Sequence, residues 1–269
     1  MSRPFYLRGE ITENKEMGSL YHRLRISLPQ PVGPIMPGQF AMLSIEENKD
    51  IILPRPFSIH DFDNGEDASR LDFLFKVVGK GTELLRKLSV GFPIKVLAPL
   101  GKGFPDTPPG YKILFIAGGM GIAPLFPLVL RMRKSPYPLH FFYGAKSQKD
   151  LICLPELLNV EGITITIATE DGTSGEKGVV TKLLKHDEDE GGAKTTIYAC
   201  GPEPMLKAVA DFAAERKMLC WISLERLMAC GVGACLSCVV KTKEGYRCSC
   251  REGPIFESKD ITWRDDAKP

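Results

Sequence analysis

Up to residue 108 the chain alternates short apolar or period-two runs with glycine and proline. Residues 5–11, 20–28, 40–45, 71–78 and 93–98 each have the pattern and bounds of a strand. Strands at this spacing, with turn residues between them, predict an antiparallel β-barrel. Residues 82–89 read as one short helix, with Gly81 and Thr82 as its cap ahead of Leu84, Leu85 and Leu88.

The pattern changes after the turn-rich stretch 101–110, which carries three prolines. Residues 113–117 form a continuous apolar run bounded by glycines, and strand-like runs recur at 139–143, 163–168 and 195–199. Helix-like sequence separates them, an alternation that predicts a parallel sheet covered on both faces. The last segment is rich in cysteine, glycine and charge, and is too short to hold a large core of its own. A metal cluster would organise it. The expected fold class is therefore multidomain β plus α/β: a barrel over 1–108, a Rossmann-like domain over 109–218 and a small metal-binding segment over 219–269.

Composition narrows the function. The 269 residues are 43% hydrophobic and 25% charged, the balance of a globular protein with a sizeable core. A net charge of +2 gives no reason to expect nucleic acid or a strongly anionic surface as the main partner. The acidic run 186–190 reads as a solvated loop tip. No apolar stretch is long enough to cross a bilayer, and the first residues lack the apolar core and cleavage site of a signal peptide. A cytoplasmic location is expected. Five of the eight cysteines fall between 230 and 250, whereas Cys153, Cys200 and Cys220 are scattered. One tight cluster in such a chain points to a metal instead of disulfides.

Cys230, Cys235 and Cys238 stand in the spacing C-x4-C-x2-C, the plant-type arrangement for a [2Fe-2S] cluster with a distant fourth cysteine. Gly231 and Gly233 allow the loop to wrap around an inorganic core. Zinc is the alternative, but its cysteines come more often as paired C-x2-C knuckles. Cys248 and Cys250 are both candidates for the fourth ligand, and their separation in an extended segment is too wide for both to bind one iron.

A second motif follows the run 113–117. Gly118, Gly119 and Gly121 lead into Ile122, Ala123 and Pro124, a strand, a glycine turn and a helix with proline in its first turn. Such a turn lets backbone N–H groups approach a pyrophosphate. Without a ligand it would be a tight strand-to-helix connection only. Later, Cys200, Gly201 and Pro202 stand at the carboxyl end of the run 195–199, where open α/β sheets bind ligands.

These elements in this order resemble the ferredoxin–NADP reductase superfamily over essentially the whole chain. Arg55-Pro56-Phe57-Ser58, ahead of Gly79-Lys80-Gly81-Thr82, matches its flavin strand. The resemblance implies FAD, with Arg55 on its pyrophosphate, Phe57 and Ser58 flanking the isoalloxazine, and Pro56 between them. It places Leu74, Phe75 and Lys76 along the flavin, and Gly81 and Thr82 at its phosphate. The segments 119–124, 223–235 and 250–256 are similar to the electron-transfer subunits of NAD-dependent (class 1B) dihydroorotate dehydrogenases. In that family the last cluster cysteine precedes a charged pair and Gly-Pro, which selects Cys250. The resemblance further implies NAD(H), and an FMN-containing dihydroorotate dehydrogenase catalytic subunit as partner in a heterotetramer. It sets Cys200 near the nicotinamide and Glu225 beside the flavin. Glu170 and Asp171 follow the run 163–168 where NADP-specific relatives hold the 2′-phosphate, so two carboxylates there favour NAD. The small flavin subunits of NADH-dependent ferredoxin:NADP oxidoreductases and of hydrogenases have the same build and are the nearest alternative. A redox sensor is a further one.

Overall fold

The computed structural model describes residues 4–18, 20–45, 53–186 and 194–263. Residues 187–190 of the acidic run lie outside them.

The first region is a closed barrel. Its strands are β1 (Phe5–Gly18), β2 (Tyr21–Leu28), β3 (Phe40–Ser44), β4 (Arg55–Asn64), β5 (Ser69–Lys76) and, after helix α1 (Lys80–Leu85), β6 (Pro93–Leu100). They pair antiparallel in the order β1-β2-β5-β4-β3-β6. Leu24, Ile26, Phe73, Phe75, Ile94 and Val96 fill the interior. Two local expectations are corrected. Helix α1 begins before Thr82, because Gly79 is the N-cap and Thr82 stands at the third helical position. There the Thr82 hydroxyl accepts the N–H groups of Val78 and Gly79 and donates to the Gly79 carbonyl. Strand β4, which the hydrophobic pattern did not mark, turns Phe57, Ile59 and Phe62 to the barrel core and carries polar residues between them because one of its faces lies outside the barrel.

The second region is a sheet built from β7 (Lys112–Gly118), α2 (Ile122–Met132), β8 (Leu139–Ala145), α3 (Leu154–Leu158), β9 (Ile163–Thr169), β10 (Glu176–Lys177), β11 (Thr195–Cys200), α4 (Glu203–Glu215) and β12 (Leu219–Ser223). Strands β7, β8, β9, β11 and β12 run parallel. Along β7, Ile113, Phe115 and Ala117 pack towards α2, and Leu114 and Ile116 towards α4. Burial on both faces accounts for the unbroken apolar run, and each of the isoleucine, leucine and phenylalanine side chains contributes about 1.5–3 kcal/mol. The final region adds the hairpin β13 (Val239–Thr242) and β14 (Gly245–Cys248), the short helix α5 (Ser249–Glu252) and β15 (Ile255–Glu257). Strand β15 pairs antiparallel with β12, giving the order β10-β9-β8-β7-β11-β12-β15. The sheet therefore runs across residue 218, where composition alone placed a boundary.

The cysteine loop rests on the outside of the barrel. Cys238 and Cys250 pack against Phe40, Met42 and Leu100. A β-carbon at Gly231 would come within 2.5 Å of Met42 Cγ, so that glycine is needed for close approach as well as for its φ of +72°. No helix among the described residues is long and apolar enough to cross a membrane.

Candidate nucleotide cleft and cysteine loop

A cleft of about 590 Å³ opens over the carboxyl ends of the parallel strands. Gly118, Gly119, Gly121, Gly201, Pro202, Glu170 and Glu225 line it from the sheet side, and Tyr21 and Lys76 from the barrel. The glycines have different duties. A β-carbon at Gly121 would lie 1.8 Å from the Cys200 carbonyl oxygen, and one at Gly118 would lie 2.8 Å from Met205 Sδ and Pro202 Cδ. Those two glycines let the loops after β7 and β11 press together. Gly119 has φ +52° and open space where a β-carbon would stand, so it is the glycine free to meet a ligand. The loop fits a dinucleotide pyrophosphate, with backbone N–H groups at the start of an eleven-residue helix, α2.

Ile122, Ala123 and Pro124 are buried beneath this loop and do not line the cleft. Cys200 is only 2% exposed. Burial, then the Glu225 charge, push its thiol well above the ordinary range. The thiol stays protonated, and what Cys200 presents to the glycine turn is its carbonyl. Glu225 stands open in the cleft, and the surrounding walls desolvate its carboxyl and raise its pKa. Of the two acidic residues after β9, Glu170 lines the cleft. Asp171 is turned into its own loop, where it accepts the Thr173 N–H at 2.9 Å and hydroxyl at 2.7 Å.

The raised pKa of Glu225 gives a stability signature. A carboxyl that is harder to ionise when folded destabilises the fold as pH rises from the ordinary carboxylate range through the raised value. Glu225→Gln removes that cost. We expect its melting temperature to exceed that of the parent protein at pH 7.5 and to match it at pH 4, measured on both proteins in parallel. A constant difference at the two pH values would contradict the assignment.

On the barrel, Arg55 lies over Gly81, where a β-carbon would meet Arg55 Nε at 2.8 Å. A guanidinium and a helix start thus stand together, a fit for the phosphates of a flavin nucleotide. Phe57 packs on the barrel core and on Phe75, at 5.8 Å between ring centroids, while Pro56 and Ser58 are half-buried. Strand β5 divides its residues. Leu74 joins the core shared with α2, Phe75 turns into the barrel, and Lys76 reaches the cleft.

The four cysteines form two pairs. Cys230 Sγ accepts the N–H groups of Val232 and Cys235, both at 3.4 Å, and Cys238 Sγ accepts the Cys250 N–H at 3.4 Å. The Cys250 thiol is also hydrogen-bonded to the Cys238 side chain. Among the described residues no group of three or more His, Cys, Asp or Glu side chains is placed to hold a metal ion. The Ser237 hydroxyl lowers the Cys235 thiol to about 6, favouring the thiolate that iron requires. Burial pushes the Cys250 thiol up to about 12. Cys248 sits on β14 opposite Val239, half-buried. Leu236 adopts φ +58°, a left-handed position that no glycine marks in the sequence.

Of the residues around the cleft, Lys76 was named through the resemblance, whereas Tyr21, Lys146 and Asp150 were missed. The Tyr21 hydroxyl donates to Asp150 Oδ1 at 2.7 Å and accepts from Lys76 Nζ at 2.9 Å. Lys146 also lines the cleft. No local motif announces Tyr21, Lys146 or Asp150, which come from separate strands and loops.

A flavin-type barrel joined to a nicotinamide-type α/β domain defines the ferredoxin-reductase class of oxidoreductases. Residues 115–211 match the oxidoreductase NAD-binding domain, and residues 225–262 match the iron-sulfur cluster binding domain of dihydroorotate dehydrogenase B. The chain is similar to the electron transfer subunit of dihydroorotate dehydrogenase B (NAD(+)) from Desulforamulus reducens, at 39% identity over 85% of this chain and 87% of that one. The Clostridium perfringens subunit of the same name is 33% identical over 95% and 98%. Among solved structures, that of an NADH-dependent reduced ferredoxin-NADP oxidoreductase superposes with a TM-score of 0.82 at 27% identity, covering 95% of this chain and 90% of that one. The ferredoxin reductase in carbazole 1,9a-dioxygenase, at 20% identity over 80% and 67%, has the same fold with a TM-score of 0.69. The chain belongs to the family of dihydroorotate dehydrogenase B electron transfer subunits.

Proposed function

We infer that the chain carries electrons from a dihydroorotate dehydrogenase catalytic subunit through a [2Fe-2S] cluster and FAD to NAD⁺. The observation that carries this reading is the setting of one strand pair. On β3 and β4, Phe40 pairs with Ser58 and Met42 with Pro56. The same Phe40 and Met42 pack on Cys238 and Cys250, so the flavin-type motif adjoins the cysteine loop. When bound, flavin converts between two-electron hydride transfer and one-electron exchange with a cluster.

The residues divide the work. Arg55 and the start of α1 hold the flavin phosphates, and the turn containing Gly119 holds the pyrophosphate of the nicotinamide nucleotide. Met205, Leu224 and Val180 give the cleft apolar walls that keep water from the reacting face. Cys200 acts from behind, seating Gly121. Cys230, Cys235, Cys238 and Cys250 hold the cluster. Glu170 favours NAD(H) by repelling a 2′-phosphate, with Asp171 adding negative charge nearby. NADH is therefore expected to give a kcat/KM well above that of NADPH; equal values would remove this role.

The partner is an FMN-containing catalytic subunit, two copies of each chain forming a cytoplasmic heterotetramer. Exposed apolar side chains around the cysteine loop support a contact there, with Leu227 90% and Leu236 60% exposed. The visible spectrum of the purified chain, recorded anaerobically before and after NADH, tests the route. Flavin and iron–sulfur bands that both bleach are expected; a colourless zinc protein, or a flavin that ignores NADH, would overturn it. The likeness to the ferredoxin-NADP oxidoreductase favours a second reading, a flavin subunit serving ferredoxin. Co-purification with a catalytic subunit that oxidises dihydroorotate separates the two.

A further inference from the structure

Helix α2 carries Pro127 in its interior. Proline has no N–H, so the carbonyl four residues earlier, that of Ala123, loses its intrahelical partner. Ala123 is 3% exposed, and water does not replace the missing donor freely there. The donor comes from the barrel: His60 Nδ1 lies 3.2 Å from the Ala123 oxygen. His60 is on β4, two residues beyond Ser58, and is 1% exposed. Its ring stacks on Phe126 of α2, with centroids 5.0 Å apart.

The facing groups settle which nitrogen carries the proton. A carbonyl only accepts, so Nδ1 is the N–H and Nε2 is the bare nitrogen. Nε2 faces Cys153 Sγ at 3.9 Å, and that thiol in turn accepts from Arg23 Nη2 at 3.5 Å. Burial, then the Arg23 charge, lower the His60 pKa to about 4, and the ring is neutral at physiological pH. One neutral imidazole thus ties the strand of the flavin motif to the first turn of the helix that follows the glycine loop.

We propose that His60 is a positioning residue for hydride transfer, holding the nicotinamide loop in register with the flavin strand through the carbonyl that Pro127 leaves free. The proposal rests on the function inferred above. A misplacement of about 1 Å between reacting groups costs up to about 100-fold in rate. His60 sits where such an error would arise, between Ser58 on one side and Gly121 through Ala123 on the other.

His60→Phe keeps the ring and its stacking on Phe126 but removes the donor. Pro127→Ala supplies an N–H to the Ala123 carbonyl from within the helix. The holoprotein, its His60→Phe variant and the double variant are compared anaerobically. The readouts are melting temperature, FAD and iron content, rate of flavin reduction by NADH, and the long-wavelength charge-transfer absorbance of the nicotinamide–flavin pair. His60→Phe is expected to lower the melting temperature, weaken the charge-transfer band and slow NADH reduction by roughly 10–100-fold, with FAD and iron content and reduction by dithionite unchanged. In the double variant the melting temperature recovers while the band and the rate stay low. A parental rate and band in His60→Phe would overturn the proposal. So would their full recovery in the double variant, because the ring would then only satisfy a carbonyl. A parent protein that does not respond to NADH would instead defeat the functional reading itself.

Discussion

Gly121→Ala should disable the nicotinamide cleft and cost about 3 kcal/mol or more of stability, the upper end for overpacking. The added methyl would lie 1.8 Å from the Cys200 oxygen and 2.4 Å from its carbonyl carbon. Both are backbone atoms in strand β11, paired on its two sides with β7 and β12, so they cannot swing aside as a side-chain tip would. Relief requires the loops after β7 and β11 to separate, which moves the turn meant to hold the pyrophosphate. Flavin reduction by NADH should fall to near background, while reduction by dithionite persists. Gly119→Ala is the contrast. Nothing stands near its β-carbon, so its stability cost is the left-handed backbone penalty of about 1–2 kcal/mol. Its methyl points into open space, so its main effect should be a raised KM for NADH. Thermal unfolding and stopped-flow reduction of the two variants check this ordering. Equal damage at both positions would mean that contact with Cys200 is not what Gly121 is for.

The second large effect is expected at Cys250. Cys250→Ser should lose iron and sulfide to background, and with them the cluster absorption and the reduced-state EPR signal. Cys248→Ser should keep all three. The two cysteines are two residues apart, yet their settings differ. Cys250 is 2% exposed, its N–H reaches Cys238 Sγ, and its thiol completes the second of the two pairs. Cys248 ends β14 ahead of α5, and its N–H is taken by Glu252 Oε2 at 2.8 Å. Loss of these signals in Cys248→Ser with their retention in Cys250→Ser would exchange the roles of the two cysteines.

Much of this arrangement was legible along the chain. The C-x4-C-x2-C spacing and the glycines within it are local, and a loop that must wrap a compact core leaves such a signature wherever it sits. The strand–glycine–helix motif at 113–124 was readable for the same reason, since turn geometry and helix starts depend on adjacent residues. The run 113–117 declared a strand buried on both faces because it has no polar position. Strand β4 was legible only through the flavin motif, since one of its faces lies outside the barrel and its composition carries no unbroken apolar run.

Other features come from chain segments far apart in sequence. Which cleft glycine meets a ligand and which meets another loop is decided by the approach of residues 200–205 to residues 118–121, and all the glycines look alike in a motif. The barrel wall of the cleft joins Tyr21, Lys76 and Asp150 from β2, β5 and the turn after β8. His60 is one histidine on a strand until α2 arrives with a carbonyl lacking its donor. The order of the regions, the cysteines available to a cluster and the glycine turn suited to a pyrophosphate could be read along the chain, because propensity, turns and ligand spacing act over a few residues. FAD and NAD(H) entered through the family resemblance. That Glu170 and not Asp171 faces the cleft, that the Cys200 thiol is shut away behind Gly121, and that Met42 links the flavin strand to the cysteine loop emerge only when the chain is folded. Those outcomes depend on how strands in register carry distant side chains to within a few ångströms of one another.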